Sequence, residues 1–317
     1  MTEQTAMFRG RRRARSVLAA VLVSVSIIAA PAAQEPPPRL TVAVSARSLQ
    51  PGELIVIRID ESAPRPPAHT DNIPLTDVRV TLFDRTVPAF AADEAWTALA
   101  GIDLDQHPGR YLLKVSARRG ATEMHVVQPL VVLPKRFATR TLRVAPEFVN
   151  PPPETAARIA ADISLLNGVY THSAEERLWR PPFVRPVPQA ANSRFGQRSR
   201  FNGELRSPHA GTDFMSPAGT PVKAPNAGRV AVARNLYFTG NTVVIDHGLG
   251  LFSMLAHLSR VDVQEGQRVE AGDLIGLVGA TGRVTGPHLH WAVRVGGARV
   301  DAMSILALLG ERPPANY

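Results

Sequence analysis

The 317-residue chain contains no cysteine. That excludes disulfides, cysteine-ligated zinc, iron–sulfur clusters, a cysteine nucleophile and a lipidated N-terminal cysteine. Any metal must be held by histidine, aspartate or glutamate. Aromatic residues make up only 6%, and no basic run with interleaved aromatics occurs beyond the N-terminus. The chain therefore makes no case for nucleic acid. After the first 30 residues no apolar run approaches the roughly 20 residues that a membrane-spanning helix takes. The net charge of +9 is also less than it looks. The first 33 residues hold five arginines and one glutamate, which leaves 31 basic and 26 acidic residues for the rest. A mild excess of this kind suits an anionic surface such as a cell envelope.

What is present begins with an export pattern. Arg9 to Arg15 reads RGRRRAR, Ser16 to Ala30 is uncharged and apolar, and Ala30-Pro31-Ala32 supplies an A-x-A cleavage pattern. These are the three parts of a secretory signal peptide, expected over residues 1–33. The mature chain is then exported and keeps no stable membrane span. The 28 prolines exceed the roughly 16 of an average chain this long, which favours turns and strands over long helices.

The length suggests two domains. Residues 39–145 read as a β-sandwich of the immunoglobulin-like kind. Leu40-Val42-Val44 and Val78-Val80-Leu82 alternate, Leu54–Ile59, Tyr111–Val115 and Val126–Leu133 are further strands, and Pro51-Gly52 and Pro108-Gly109 are turns. Residues 146–185 form a proline-rich connector. It holds a helix over Glu154–Leu166, with Ile159, Ile163 and Leu166 on one face, closed by Asn167-Gly168. Residues 186–306 are again mainly β, an antiparallel, barrel-like sheet. Strands are expected at 221–224, 228–233, 242–246, 251–256, 274–278 and 288–295, before a helix over Ala302–Leu309. The connector is long enough for the sandwich to rest on the second domain or swing away. A chain beginning near residue 180 is accordingly expected to keep the chemistry of the second domain.

Five of the nine histidines fall between 209 and 290. They occur in His209-Ala210-Gly211-Thr212-Asp213, in Asp246-His247, in Ala256-His257-Leu258-Ser259 and in Gly286-Pro287-His288-Leu289-His290-Trp291. Residues two apart on a strand share a face, so His288 and His290 project together, as do His209 and Asp213 if extended. Two imidazoles and one carboxylate are a usual ligand set for a catalytic zinc, with a fourth position left for water. Such a water becomes a nucleophile near pH 7, and further side chains must take its proton and stabilise an oxyanion. Spacing along the chain does not by itself bring these segments together. His247 reads as a structural or rim histidine.

The ordered set Ser193–Gly196, Pro208–Phe214 (PHAGTDF), Pro221–Gly228 (PVKAPNAG), Gly240–Gly248 (GNTVVIDHG), Ala256–Ser259, Val269–Gly282 (VEAGDLIGLVGATG) and Gly286–Trp291 (GPHLHW) covers about a third of the chain. It resembles the lysostaphin- and LytM-type zinc endopeptidases, peptidoglycan hydrolases of the duplicated-hybrid-motif fold. The resemblance implies zinc held by His209, Asp213 and His290. It also implies catalytic roles for His257 and His288, with His288 as base and His257 stabilising the tetrahedral intermediate. The implied substrate is the cross-linked stem peptide of peptidoglycan, in the periplasm or cell envelope. Some positions depart from the family. Trp291-Ala292 stand where Phe or Tyr followed by Glu is common, Phe252 and Leu255 where tyrosines are, and Phe201-Asn202-Gly203 lacks an upstream tyrosine. The alternative is an inactive member that binds cell wall and activates an amidase; such members lose metal or catalytic positions, and all five are filled here.

Overall fold

Alternation puts every second side chain of a strand on one face, and it builds the first part of the chain into two antiparallel four-stranded sheets. One runs in the order β1 (Arg39–Ser45), β2 (Leu54–Ser62), β6 (Ala95–Gly101), β5 (Ala89–Ala92). The other runs β4 (Arg85–Val87), β3 (Thr76–Leu82), β7 (Gly109–Arg119), β8 (Thr122–Val132). Ile55, Ile57 and Ile59 of β2 share a sealed core with Val80, Leu82, Leu113 and Val115 of the other sheet. The computed structural model describes residues 39–62, 74–92, 95–142, 151–192, 195–205 and 207–311. The expected export signal lies outside the described residues, among which no helix is long and apolar enough to cross a membrane.

β9 (Thr139–Leu142) leaves the sandwich and pairs in parallel with β10 (Arg198–Phe201), which turns through Asn202-Gly203 into β11 (Glu204–Leu205). Between β9 and β10 stands α1 (Ala156–Thr171), preceded by a single 3-10 turn. The helix does not stop at Asn167-Gly168. An interior glycine costs about 1 kcal/mol, but Leu165, Leu166, Val169 and Tyr170 pack on Val232, Val244, Phe252, Met254 and Ala256. These four side chains are partly buried there, and even a fraction of the roughly 1.5–3 kcal/mol each would gain on full burial outweighs the glycine, so tertiary packing overrides the local stop signal. The Thr171 hydroxyl then donates to the carbonyl of Gly168 at 2.8 Å and occupies one of the end carbonyls. Ile163, expected on the packed face, is 51% exposed.

The last part is one nine-stranded antiparallel sheet. Its strands are β12 (Thr212–Phe214), β13 (Pro221–Lys223), β14 (Gly228–Leu236), β15 (Gly240–Gly248), β16 (Leu251–Val261), β17 (Arg268–Val269), β18 (Leu274–Val278), β19 (Leu289–Val295) and β20 (Ala298–Val300). The main path is β12-β19-β16-β15-β14-β17, with β18 joining β16 to β13 and β20 flanking β19. Each expected strand is found within a few residues, and α2 occupies Ala302–Leu309 as read from the sequence. The central strands β15 and β16 are buried almost throughout, because both faces of the sheet are covered. α1 covers one face. The other meets α2 together with Trp179, Phe183 and Val187 from the proline-rich stretch.

The sandwich rests against the second sheet. The described residues make one compact unit, and Leu54 and Leu99 belong to the core of the second sheet rather than to their own. Gly101 allows this approach: a Cβ there would lie 2.7 Å from the Ala298 Cβ. The Asp301 N–H donates to the Gly52 carbonyl at 2.8 Å, and Arg299 binds both Asp103 and Asp105. Burial alone would raise the pKa of Asp103, but hydrogen bonds from Arg299 outweigh it and lower the value to about 2. Leu54→Ala is expected to destabilise the whole unit by about 2–5 kcal/mol. Trp96 on one side and Trp179 and Trp291 on the other report the transition in tryptophan fluorescence. Two separate transitions, only one of them shifted, would contradict the shared core.

Candidate metal centre

Three neighbouring strands assemble the site. β12 lies antiparallel to β19 with Asp213 opposite His290, and β19 lies antiparallel to β16 with His290 opposite Ala256. His257 follows Ala256 at φ +66°, just before a register shift in β16, and its N–H donates to the Thr239 carbonyl. His209 is not on a strand. It precedes β12 and is held by two backbone hydrogen bonds, Gly196 N–H to its carbonyl at 2.7 Å and its own N–H to Gln197 at 3.0 Å. The even spacing of His209 and Asp213 thus pointed to the right neighbours for a reason that does not apply. The chain turns in through Gly211, where a Cβ would lie 2.4 Å from the His290 ring. His288 likewise precedes β19 rather than sitting on it.

The outcome is convergence. His209 Nε2, Asp213 Oδ1 and His290 Nδ1 are separated by 3.1 Å (His209–Asp213), 3.0 Å (His290–Asp213) and 3.0 Å (His209–His290). Donors bonded to one cation at about 2.0–2.1 Å in tetrahedral geometry stand roughly 3.3 Å apart. The three atoms therefore have the chemistry and nearly the spacing of a ligand set, and they form the one cluster of this kind among the described residues. Burial alone would raise the pKa of Asp213, yet hydrogen bonds from His209 and His290 overcome it and hold the carboxyl well below the usual range. Burial lowers the pKa of His290, partly offset by Asp213. A neutral imidazole and an ionised carboxylate are the forms a metal takes.

His257 and His288 stand beside this triad. Their ring centroids are 4.9 Å apart, and His288 Nε2 is 3.8 Å from Asp213 Oδ1. His257 Nδ1 meets the Thr281 carbonyl at 2.9 Å, and His288 Nδ1 meets the Gly286 carbonyl at 2.9 Å. A carbonyl only accepts, so each neutral ring carries its proton on Nδ1 and leaves the Nε2 lone pair free. Burial, reinforced by His290, pushes the pKa of His257 down to about 3. The residues that set these rings, Thr281 and Gly286, act through backbone carbonyls, which no side-chain motif reveals. The departures from the family pattern fall elsewhere. Phe252, Leu255 and Trp291 are at most 1% exposed and serve the core.

The topology and this cluster define a set of donors able to hold a metal ion on an antiparallel sheet. Residues 207–302 match the family model described as peptidase family M23. A crystal structure of an M23 protein from Pseudomonas aeruginosa is 32% identical, with a TM-score of 0.61 over 82% of this chain and 95% of that one. The chain belongs to peptidase family M23, and family and donor set together imply a metal. A 97-residue segment is 50% identical to the peptidoglycan DD-endopeptidase ShyA of Vibrio cholerae, covering 31% of this chain and 23% of that protein. Another match is the DD-carboxypeptidase/endopeptidase Mpg of Neisseria meningitidis, 42% identical over 97 residues, again 31% of this chain and 22% of the relative. The chain spans less than a quarter of the length of these two relatives.

His247 lies apart from the triad, fully buried, with Nδ1 on the Ala227 carbonyl at 2.7 Å and Nε2 on the Ser253 hydroxyl at 3.0 Å. It is structural, as its sequence setting implied. Burial, partly offset by the Ala227 hydrogen bond and the Asp246 charge, lowers its pKa to about 4. The folded state therefore resists a proton that the unfolded chain accepts below about pH 6.5. Its contribution to stability is present above that pH and is lost as pH falls towards 4, about 3 kcal/mol in all. Nitrogen NMR shifts of this ring should show it neutral and Nδ1-protonated at pH 5.5; a charged ring at that pH would contradict the assignment.

Proposed function

We propose that the protein is an exported zinc endopeptidase that hydrolyses the D,D peptide cross-links of peptidoglycan. The observation that carries this reading is the convergence of His209, Asp213 and His290 beside two histidines whose Nε2 atoms are free. The names of the Vibrio and Neisseria relatives support the substrate class, and the N-terminal pattern supports export to the periplasm or envelope. A complete set of five residues argues against the inactive, amidase-activating alternative.

His209, Asp213 and His290 would hold the zinc. When bound, the ion supplies Lewis acidity that polarises a peptide carbonyl and brings the pKa of water towards 7. His288, 15% exposed by its side chain, accepts the water's proton at Nε2, the atom its Gly286 hydrogen bond leaves free. It returns that proton to the departing amine, as a general base and then acid does. His257 is the assigned stabiliser of the tetrahedral oxyanion. That task requires the Nε2–H tautomer, in which the single ring proton moves from Nδ1 to Nε2 and the Thr281 hydrogen bond is given up, because burial disfavours a second proton.

His290→Ala should lose most of the zinc measured by metal analysis of the folded protein; full retention would overturn the ligand assignment. His288→Ala and His257→Ala should keep zinc but lose about 10²- to 10⁴-fold in kcat. His257→Gln, which restores an N–H donor, should recover part of that loss, whereas His288→Gln should not. Equal recovery in both would exchange or merge the two roles. Digestion of purified sacculi should release muropeptides cut at the D-alanyl–diaminopimelate bond. Intact cross-links after prolonged digestion by zinc-loaded protein would overturn the substrate.

A further inference from the structure

We infer that the N-terminal sandwich is a constituent of the metal centre, in which Arg47 positions Asp213 through Asp301 and Thr212. The inference rests on the metal reading above and extends it to residues more than 150 positions away in sequence. β12 is three residues long and lies at the end of its sheet, paired within it to β19 alone. Alternation sends Asp213 to the metal side and Thr212 and Phe214 to the other. Phe214 enters the core. Thr212, wholly buried, donates its hydroxyl to Asp301 Oδ1 at 2.8 Å. A β-branched side chain has few χ1 choices, so fixing its hydroxyl also fixes the backbone that carries Asp213.

Asp301 is in turn fixed from the other domain. Its Oδ1 also accepts the Met303 N–H at 3.0 Å, capping α2, and its Oδ2 accepts Arg47 Nη2 at 2.6 Å. Arg47 forks onto Glu53, with Nε to Oε2 at 2.8 Å and Nη2 to Oε1 at 3.0 Å. Glu53 is 4% exposed and also accepts from Ser304 and Lys135. One guanidinium thus links two nearly buried carboxylates, one from each part of the chain. Without it both remain buried with less compensation, and the acceptor for Thr212 loses its anchor. A planar fork makes this link with a geometry that no other side chain reproduces. Arg47 and Asp301 are therefore positioning residues: neither belongs to the triad, and both set where its carboxylate stands.

The test uses the full chain loaded with cobalt(II), whose visible absorption reports ligand geometry, together with zinc affinity from competition with a chromophoric chelator. Thr212→Val removes only the hydroxyl and adds no buried charge. It is expected to weaken zinc about tenfold, at the low end of what supporting residues around metal ligands contribute, and to change the cobalt spectrum. Thr212→Ser should restore both. Arg47→Met should shift affinity and spectrum in the same direction as Thr212→Val. Near-ultraviolet circular dichroism of each apo-protein identifies any variant that has lost its fold, and the Thr212 pair then carries the comparison. Wild-type affinity and spectrum in folded Thr212→Val overturn the inference and leave the metal site standing. A wild-type chain that takes up no cobalt, or whose uptake survives His290→Ala, overturns the metal reading and this inference with it.

Discussion

The register between β12, β19 and β16 is the constraint on which the site depends. Asp213 faces His290 across one ladder, His290 faces Ala256 across the next, and His257 follows immediately. A strand side chain changes face with every residue, so a slip of one position would turn Asp213 or His290 into the core and bring an apolar neighbour into the site. The flanking residues prevent that slip. Phe214, Leu289 and Trp291 are fully buried, and moving them into solvent would cost roughly 1.5–3 kcal/mol or more each. The apolar residues next to each functional side chain are what hold the functional residues in place.

Burial also determines the chemistry of the imidazoles. Main-chain carbonyls fix the Nδ1 protons of His257 and His288, while His247 uses the same pairing for a purely structural purpose. What separates the two cases is the second nitrogen. In His247 it is taken by Ser253, so the ring is satisfied and inert. In His288 it stands 3.8 Å from Asp213 Oδ1, and the His257 ring centroid is 5.8 Å from that of His290. An imidazole nitrogen that no protein group occupies is available to a bound ligand.

The sandwich and the second sheet are parts of one compact unit. Leu54 and Leu99 complete the core of the second sheet, and Asp301 is at once the cap of α2, the acceptor for Thr212 and the partner of Arg47. A side chain with three such partners couples the stability of two regions. Truncating the chain near residue 180 would remove Arg47, Glu53, Leu54 and Leu99 together, leaving an apolar patch and an uncompensated Asp301.

Much was legible in the sequence because the determining signals are local. Period-two alternation located the strands, Gly and Pro dipeptides separated them, and the family resemblance, rather than spacing alone, singled out His209, Asp213 and His290 as the expected metal donors. Composition excluded cysteine chemistry outright. Other features depended on partners distant in the chain. Gly168 signals a helix end, yet α1 continues because Val169 and Tyr170 beyond it pack against the sheet. His209 reaches Asp213 through a turn rather than along a strand, which only the close approach at Gly211 explains. The roles of Arg47, Asp301 and Thr212 were invisible, since each looks like an ordinary polar residue until the fold brings them together. The sequence alone determined which side chains can bind a metal and which faces are apolar. Tertiary structure decided which of them meet, because burial free energy and hydrogen-bond satisfaction are properties of the assembled core.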